Sequence, residues 1–90
     1  MRRIILDGRE LTSKEKLHSV LKEALNLPDY YGNNLDALHD CLTEMLGIEL
    51  QLRYAPAMLN QLGAYGESFI ALLELVQKER TDFCFKLIQS

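Results

Sequence analysis

The sequence predicts an α/β domain with a three-stranded parallel sheet and helices packed mainly on one face. Two observations lead there. Apolar runs of strand length lie at residues 3–6, 48–54 and 83–88. Between each pair of runs stand two segments with helical spacing of apolar residues. Parallel strands require such crossovers, so the order β-α-α-β-α-α-β implies a parallel sheet. A chain of 90 residues is the length of one domain, here residues 1–90, with a thin core.

The first strand, Arg3 to Leu6, ends at the turn signal Asp7-Gly8. Thr12-Ser13-Lys14-Glu15 reads as a capping box, with Thr12 capping and Glu15 reaching back. Leu17, Val20, Leu21, Ala24 and Leu25 then give one amphipathic helix, which Pro28 should end. His18 lies next to that stripe, where packing or a backbone hydrogen bond is the expected role. Asn26 to Asn33 is a loop, and Asn34 is a plausible N-cap for a second helix with Asp36 in its first turn. Leu35, Leu38, Leu42 and Met45 stripe that helix, and Gly47 should stop it. Ile48, Leu50, Leu52 and Tyr54 alternate with Glu49, Gln51 and Arg53, the pattern of a strand with one buried and one wet face. Pro56 suits the first turn of a short third helix ending at Gly63. Phe69, Leu72, Leu73 and Val76 stripe a fourth helix over about 67–79, and 83–88 is the last strand.

Charge is distributed unevenly. From Glu23 to Leu52 there is no Lys or Arg, while Glu23, Asp29, Asp36, Asp40, Glu44 and Glu49 fall in that stretch. Such a surface repels nucleic acid and anionic membranes and attracts something basic, unless it is only a solvated face. No apolar run is long enough to cross a bilayer. The start, Met1-Arg2-Arg3-Ile4-Ile5-Leu6, opens like a secretory signal but stops being apolar at Asp7, so a cytoplasmic protein is expected. Cys41 and Cys84 are too few for a disulfide framework or a zinc site and are expected to be buried free thiols.

The segment Leu35-Asp36-Ala37-Leu38-His39-Asp40-Cys41-Leu42 carries the functional reading. Asp36 and Asp40 are four residues apart, as are Asp40 and Glu44, so the carboxylates stack along one helix edge. Like charges at that spacing cost a helix a few tenths of a kcal/mol per pair. The arrangement makes sense if a positive surface meets it. Tyr30 and Tyr31 precede the helix; tyrosine is favoured at interfaces, and Tyr31 fits core packing equally well. One helix edge offers no opposing wall for acid–base catalysis, and Asp36, His39 and Asp40 would supply at most three metal ligands. No nucleophile elbow or phosphate loop is present, so a binding module without metal or cofactor is expected, not an enzyme.

The run Leu27-Pro28-Asp29-Tyr30-Tyr31-Gly32-Asn33-Asn34-Leu35-Asp36-Ala37-Leu38-His39-Asp40-Cys41-Leu42-Thr43 resembles the signature segment of the barstar family, intracellular inhibitors of a secreted ribonuclease. The resemblance extends more weakly over the whole chain, including Leu17-His18. It implies three parallel strands covered by helices, and a second helix and preceding loop that plug the nuclease active site. On that likeness Asp40 enters the phosphate site, Asp36 is its partner carboxylate, Tyr30 packs over the catalytic histidine, and Asn34 is a further contact. The family's type member has tryptophan at His39, glycine at Glu44 and tryptophan at Met45, so these three positions differ. A contact glutamate on the last helix has no single counterpart, with Glu74, Leu75, Gln77 and Glu79 all near. The partner implied is a basic, secreted ribonuclease, met by a chain that is monomeric when free. The alternative is a non-inhibitory interaction module of the same fold that binds another basic protein.

Overall fold

The structure, a computed structural model, describes residues 2–45 and 47–88. Strand β1 (Arg2–Asp7) leads through a 3-10 turn (Gly8–Glu10) to α1 (Lys14–Leu25) and α2 (Leu35–Glu44). Strand β2 (Ile48–Arg53), α3 (Ala55–Leu62), α4 (Ala64–Glu79) and β3 (Phe83–Ile88) follow. The strands are parallel in the order β1-β2-β3. Register sets Ile4 beside Leu50 and Phe85, and Leu6 beside Leu52 and Leu87.

The period-two pattern decides which sheet face the helices cover. Ile4, Leu6, Ile48, Leu50, Leu52, Phe83 and Phe85 are buried. Against them pack the apolar stripes of the helices, including Leu17 and Leu21 of α1, Leu38 and Leu42 of α2, and Phe69 and Leu73 of α4, all within 1% of full burial. The opposite face carries Arg3, Glu49 and Lys86 across the three strands. Glu49 sits 2.8 Å from Arg3 and 3.6 Å from Lys86. Hydrogen bonds from Gln51 and Arg3 hold the Glu49 carboxyl below its ordinary pKa. Polar cross-strand pairs thus let a parallel sheet keep one face in water.

Several boundaries differ from expectation for local reasons. Strand β1 extends one residue beyond each expected end, because its pairing with β2 runs from Arg2 to Asp7 regardless of side-chain polarity. Ser13, not Thr12, caps α1: its hydroxyl accepts the Lys16 amide at 3.0 Å. Asn26, not Pro28, ends α1. It takes the left-handed conformation (φ 53°), and Leu27 N–H closes on the Lys22 carbonyl at 2.9 Å. Helix α2 stops at Glu44, and Gly47 (φ 66°) makes the turn into β2. Tyr54 is not the end of β2. It is left-handed (φ 56°) and opens α3, with its carbonyl packed where a Cβ on Gly8 would lie 2.2 Å away. Gly63 alone separates α3 from α4, which therefore begins at Ala64 rather than near 67.

Candidate functional site

The loop between α1 and α2 turns on a short hydrogen bond from Tyr31 N–H to the Pro28 carbonyl, 3.0 Å. Such a turn sends consecutive side chains in opposite directions. Leu27 and Tyr31 go into the core, at 7% and 6% exposure, while Tyr30 stands out at 86%. The open alternatives for the tyrosines are thereby resolved: Tyr31 is a core residue and Tyr30 a surface one. Tyr31's hydroxyl meets Nδ1 of His18 at 2.6 Å, and Nε2 of the same ring meets the Tyr65 hydroxyl at 2.6 Å. His18 thus bridges two phenols, where packing or a backbone bond was expected. Burial pushes the Tyr31 phenol pKa up and the His18 imidazole pKa down.

Asn34 caps α2 as its type and position predict. Its Oδ1 accepts the Ala37 amide at 2.8 Å, and its Nδ2 donates to the Gly32 carbonyl at 3.1 Å. Leu38 and Leu42 pin the inner face of the helix. Asp36, Asp40 and Glu44 are all exposed. They do not keep to a single edge, because each four-residue step advances about 40° around an α-helix. Asp36 borders a groove against α4, lined also by Leu35, His39, Leu72 and Leu75. Asp40 and Glu44 border a hollow of about 630 Å³ against the loop, together with Tyr30, Tyr31, Cys41 and Met45. The carboxylates therefore cross the crest of α2 between two concavities.

Charge pairing alone does not single these acids out, since Glu10, Glu15, Glu23, Glu67 and Glu74 also lack a basic partner within 4.0 Å among the described residues; what sets Asp36, Asp40 and Glu44 apart is their succession along one helix beside an exposed tyrosine. Asp7, Asp29, Glu49, Glu79 and Asp82 each have a basic partner within 4.0 Å. Among the described residues, Asp36, Asp40 and Glu44 have none. Burial, and then the charges of Glu44 and Asp40, raise the Cys41 thiol pKa, which disfavours the thiolate. Both cysteines are free and only half-buried, not fully buried as expected. Cys84 belongs to the wet sheet face, in register with Glu49.

The remaining site residues divide between structure and surface. His39 is half-buried and its Nε2 lies 3.0 Å from Glu79 Oε1 at the far end of α4. Met45 packs against the core from the end of α2. On α4, Gln77 turns toward the sheet, where its Oε1 accepts the Phe85 amide at 2.7 Å. Of the four α4 positions near the family's contact glutamate, Leu75, 47% exposed, lines the Asp36 groove, together with Ser68, Ala71 and Leu72 of the same helix. Sequence reading placed Leu75 outside the apolar stripe; its spacing of three from Leu72 was the available signal. The pairing of His39 with Glu79, forty positions apart, left no local trace.

Among the described residues no group of three or more His, Cys, Asp or Glu side chains is placed to hold a metal ion. The fold and this face define a small α/β protein whose helix crest presents unpaired carboxylates beside an exposed aromatic. The sequence profile of the family described as Barstar (barnase inhibitor) matches residues 1–89. The chain belongs to that family, one of inhibitors and not of enzymes. It is 42% identical to the Bacillus subtilis (strain 168) protein named "Putative ribonuclease inhibitor YrdF", over 98% of both chains.

Proposed function

We propose that this protein inhibits a ribonuclease by plugging a basic active site with the loop at Tyr30 and the crest of α2. Membership of the barstar family and the similarity to a protein named as a ribonuclease inhibitor support the general reading. The observation that carries the mechanism is the set of unpaired carboxylates Asp36, Asp40 and Glu44, next to a tyrosine with 86% of its surface free. A nuclease that binds RNA must offer cations at its phosphate sites, and carboxylates on a convex helix can occupy them. Tyr30 supplies a large amphipathic anchor beside them. The partner would be a basic, secreted enzyme, and the inhibitor a cytoplasmic monomer when free. Asn34 would serve the site mainly by starting α2, since both ends of its amide are engaged within the chain.

The test is titration of the purified protein against basic ribonucleases secreted by the source organism, reading RNA cleavage. Stoichiometric loss of cleavage, relieved by Asp40→Ala, is the expected result. RNA hydrolysis by the protein itself would overturn the reading, as would a complex with a basic protein that leaves cleavage intact. The latter outcome would favour the non-inhibitory interaction module. The observation on its side is that His39 is paired within the chain to Glu79, and that Glu44 adds a further charge to the face.

A further inference from the structure

Tyr31 enters the core at the base of the loop that carries Tyr30, and it does so against a polar group. His18 is 1% exposed, and both of its ring nitrogens are engaged: Nδ1 with the Tyr31 hydroxyl and Nε2 with the Tyr65 hydroxyl, each at 2.6 Å. A neutral imidazole offers one N–H and one lone pair, so the two bonds must run in a single direction. Tyr31 is 6% exposed, and among the described residues its hydroxyl has no other partner. Its proton therefore needs the imidazole lone pair, since a buried donor without an acceptor carries the full cost of lost hydration. Tyr65 is only half-buried, so its own proton can go to water. The direction that satisfies every group is Tyr31 O–H donating to Nδ1 and Nε2–H donating to Tyr65 Oη.

We propose that Tyr65 is a positioning residue for the docking loop: by accepting the Nε2–H of His18 it fixes the tautomer whose Nδ1 lone pair anchors Tyr31, and so the outward placement of Tyr30. Three elements that are distant in sequence meet in this chain, α1 through His18, the loop through Tyr31 and α4 through Tyr65. The imidazole is tilted against the Tyr31 ring and edge-on to the Tyr65 ring, which packs both phenols around it. Burial lowers the imidazole pKa and keeps the lone pair free at neutral pH. Among the described residues, the titratable groups within hydrogen-bond reach of the His18 ring are these two phenols. Lys14 of its own helix lies beyond, with Nζ 4.7 Å above the Tyr65 ring. That contact holds the Tyr65 ring without touching its hydroxyl, and it supplies a control. Remove the Tyr65 oxygen and the Nε2–H loses its acceptor, so each tautomer then leaves one buried donor unpaired, the Nε2–H in one and the Tyr31 hydroxyl in the other; the two tautomers come close in energy and the turn at Pro28–Tyr31 is less firmly seated.

The link to partner binding rests on the docking face proposed above; the positioning itself does not, and it is read on the free protein. The nitrogen-15 shifts of the His18 ring should report a single Nε2–H tautomer in the wild-type chain; an Nδ1–H tautomer overturns the proposal whatever any variant does. Tyr65→Phe should lose that single tautomer and speed amide exchange at residues 29–33 by roughly three- to tenfold, the range of one net hydrogen bond. Lys14→Ala should leave both unchanged; loop loosening equal to that of Tyr65→Phe would mean that ring packing, not the hydroxyl, is responsible. In a Tyr31→Phe background the Tyr65→Phe substitution should add little, because its route to the loop is gone. An undiminished effect there would overturn the proposal. If no ribonuclease is bound, the docking reading falls while these measurements stand. If one is bound, its dissociation from Tyr65→Phe should quicken by a similar factor.

Discussion

The side-chain oxygen of Asn34 accepts the backbone N–H of Ala37 at 2.8 Å, closing the first turn of the helix that carries the acidic crest. Its amide nitrogen is used as well, on the Gly32 carbonyl at 3.1 Å. The residue that the family resemblance names as a partner contact thus also acts as a structural cap. Asn34→Ala should lower unfolding stability by about 1 kcal/mol, the usual loss for a missing N-cap. Asn34→Asp keeps the acceptor and should recover most of it. Denaturant midpoints of the three proteins test this; equal stability for the wild type and the alanine variant would show that the cap contributes nothing.

His18 makes stability depend on pH in the weakly acidic range. Its folded pKa is depressed by burial. Below its unfolded value of about 6.5 the unfolded chain binds a proton that the folded chain does not. Stability should therefore be level above that pH and fall as the solution is acidified, until the lower folded pKa is reached. The carboxyls of Asp7, Glu49 and Asp82, held down by hydrogen bonds with Arg9, with Gln51 and Arg3, and with Arg80 respectively, act in the same direction at lower pH. Unfolding midpoints followed from pH 8 to 5 should slope for the wild type and flatten for His18→Gln. A slope unchanged by the substitution would contradict this assignment.

Periodicity made most of the fold legible. Ile48 to Arg53 alternates so regularly that one wet sheet face could be inferred, and register later pairs its Glu49 with Arg3. The caps at Asn34 and Gly63 were readable because side-chain type and local position alone determine them. What the sequence hid was tertiary. Tyr54 breaks its strand pattern by turning left-handed into α3, with its carbonyl packed against Gly8 at the sheet end, a contact between positions distant in sequence. Arg80 reaches back to the Thr43 carbonyl at the end of α2 while pairing with Asp82, a link of thirty-seven positions. In the site, the acidic row and Tyr30 were visible in one short segment. The partition of that row between two concavities depends on where α4 and the loop pack, which no local pattern encodes.

Salt should act mainly on how fast a partner arrives. The carboxylates of Asp36, Asp40 and Glu44 are exposed and unpaired, so their field extends into solvent over about 8 Å at physiological ionic strength. Association with a basic partner is then steered, and the on-rate should drop steeply as salt is added, with a smaller change in the off-rate. Stopped-flow association across a range of sodium chloride checks this. An on-rate indifferent to salt would leave the acidic crest without a part in encounter.

Asp40 should dominate binding, with Asp36 and Tyr30 next and Glu44 weaker. It stands mid-helix in the middle of the row, between Asp36 at the α4 groove and Glu44, which borders the loop hollow from the last turn of α2. It also shares that hollow with Tyr30, so a concave basic site closing over the aromatic closes over Asp40. A carboxylate desolvated against guanidinium and ammonium groups loses its own pairs when truncated and leaves the partner's cations buried without compensation. Such truncations cost about 2–5 kcal/mol or more. Glu44, the last residue of α2, is expected to keep water at the edge of the contact and should cost about 1 kcal/mol or less. The free protein should not suffer. Asp40 makes no side-chain ion pair among the described residues, and its removal relieves repulsion from neighbours four positions away on either side. Stability of Asp40→Ala should hold or rise by a few tenths of a kcal/mol. The control is Glu10→Ala, an exposed acid in the 3-10 turn after β1, away from both concavities. Affinity and thermal midpoint measured together decide the matter. Equal, small affinity losses for the two variants would make α2 a solvated face, and a fall in the midpoint of Asp40→Ala would make its role structural.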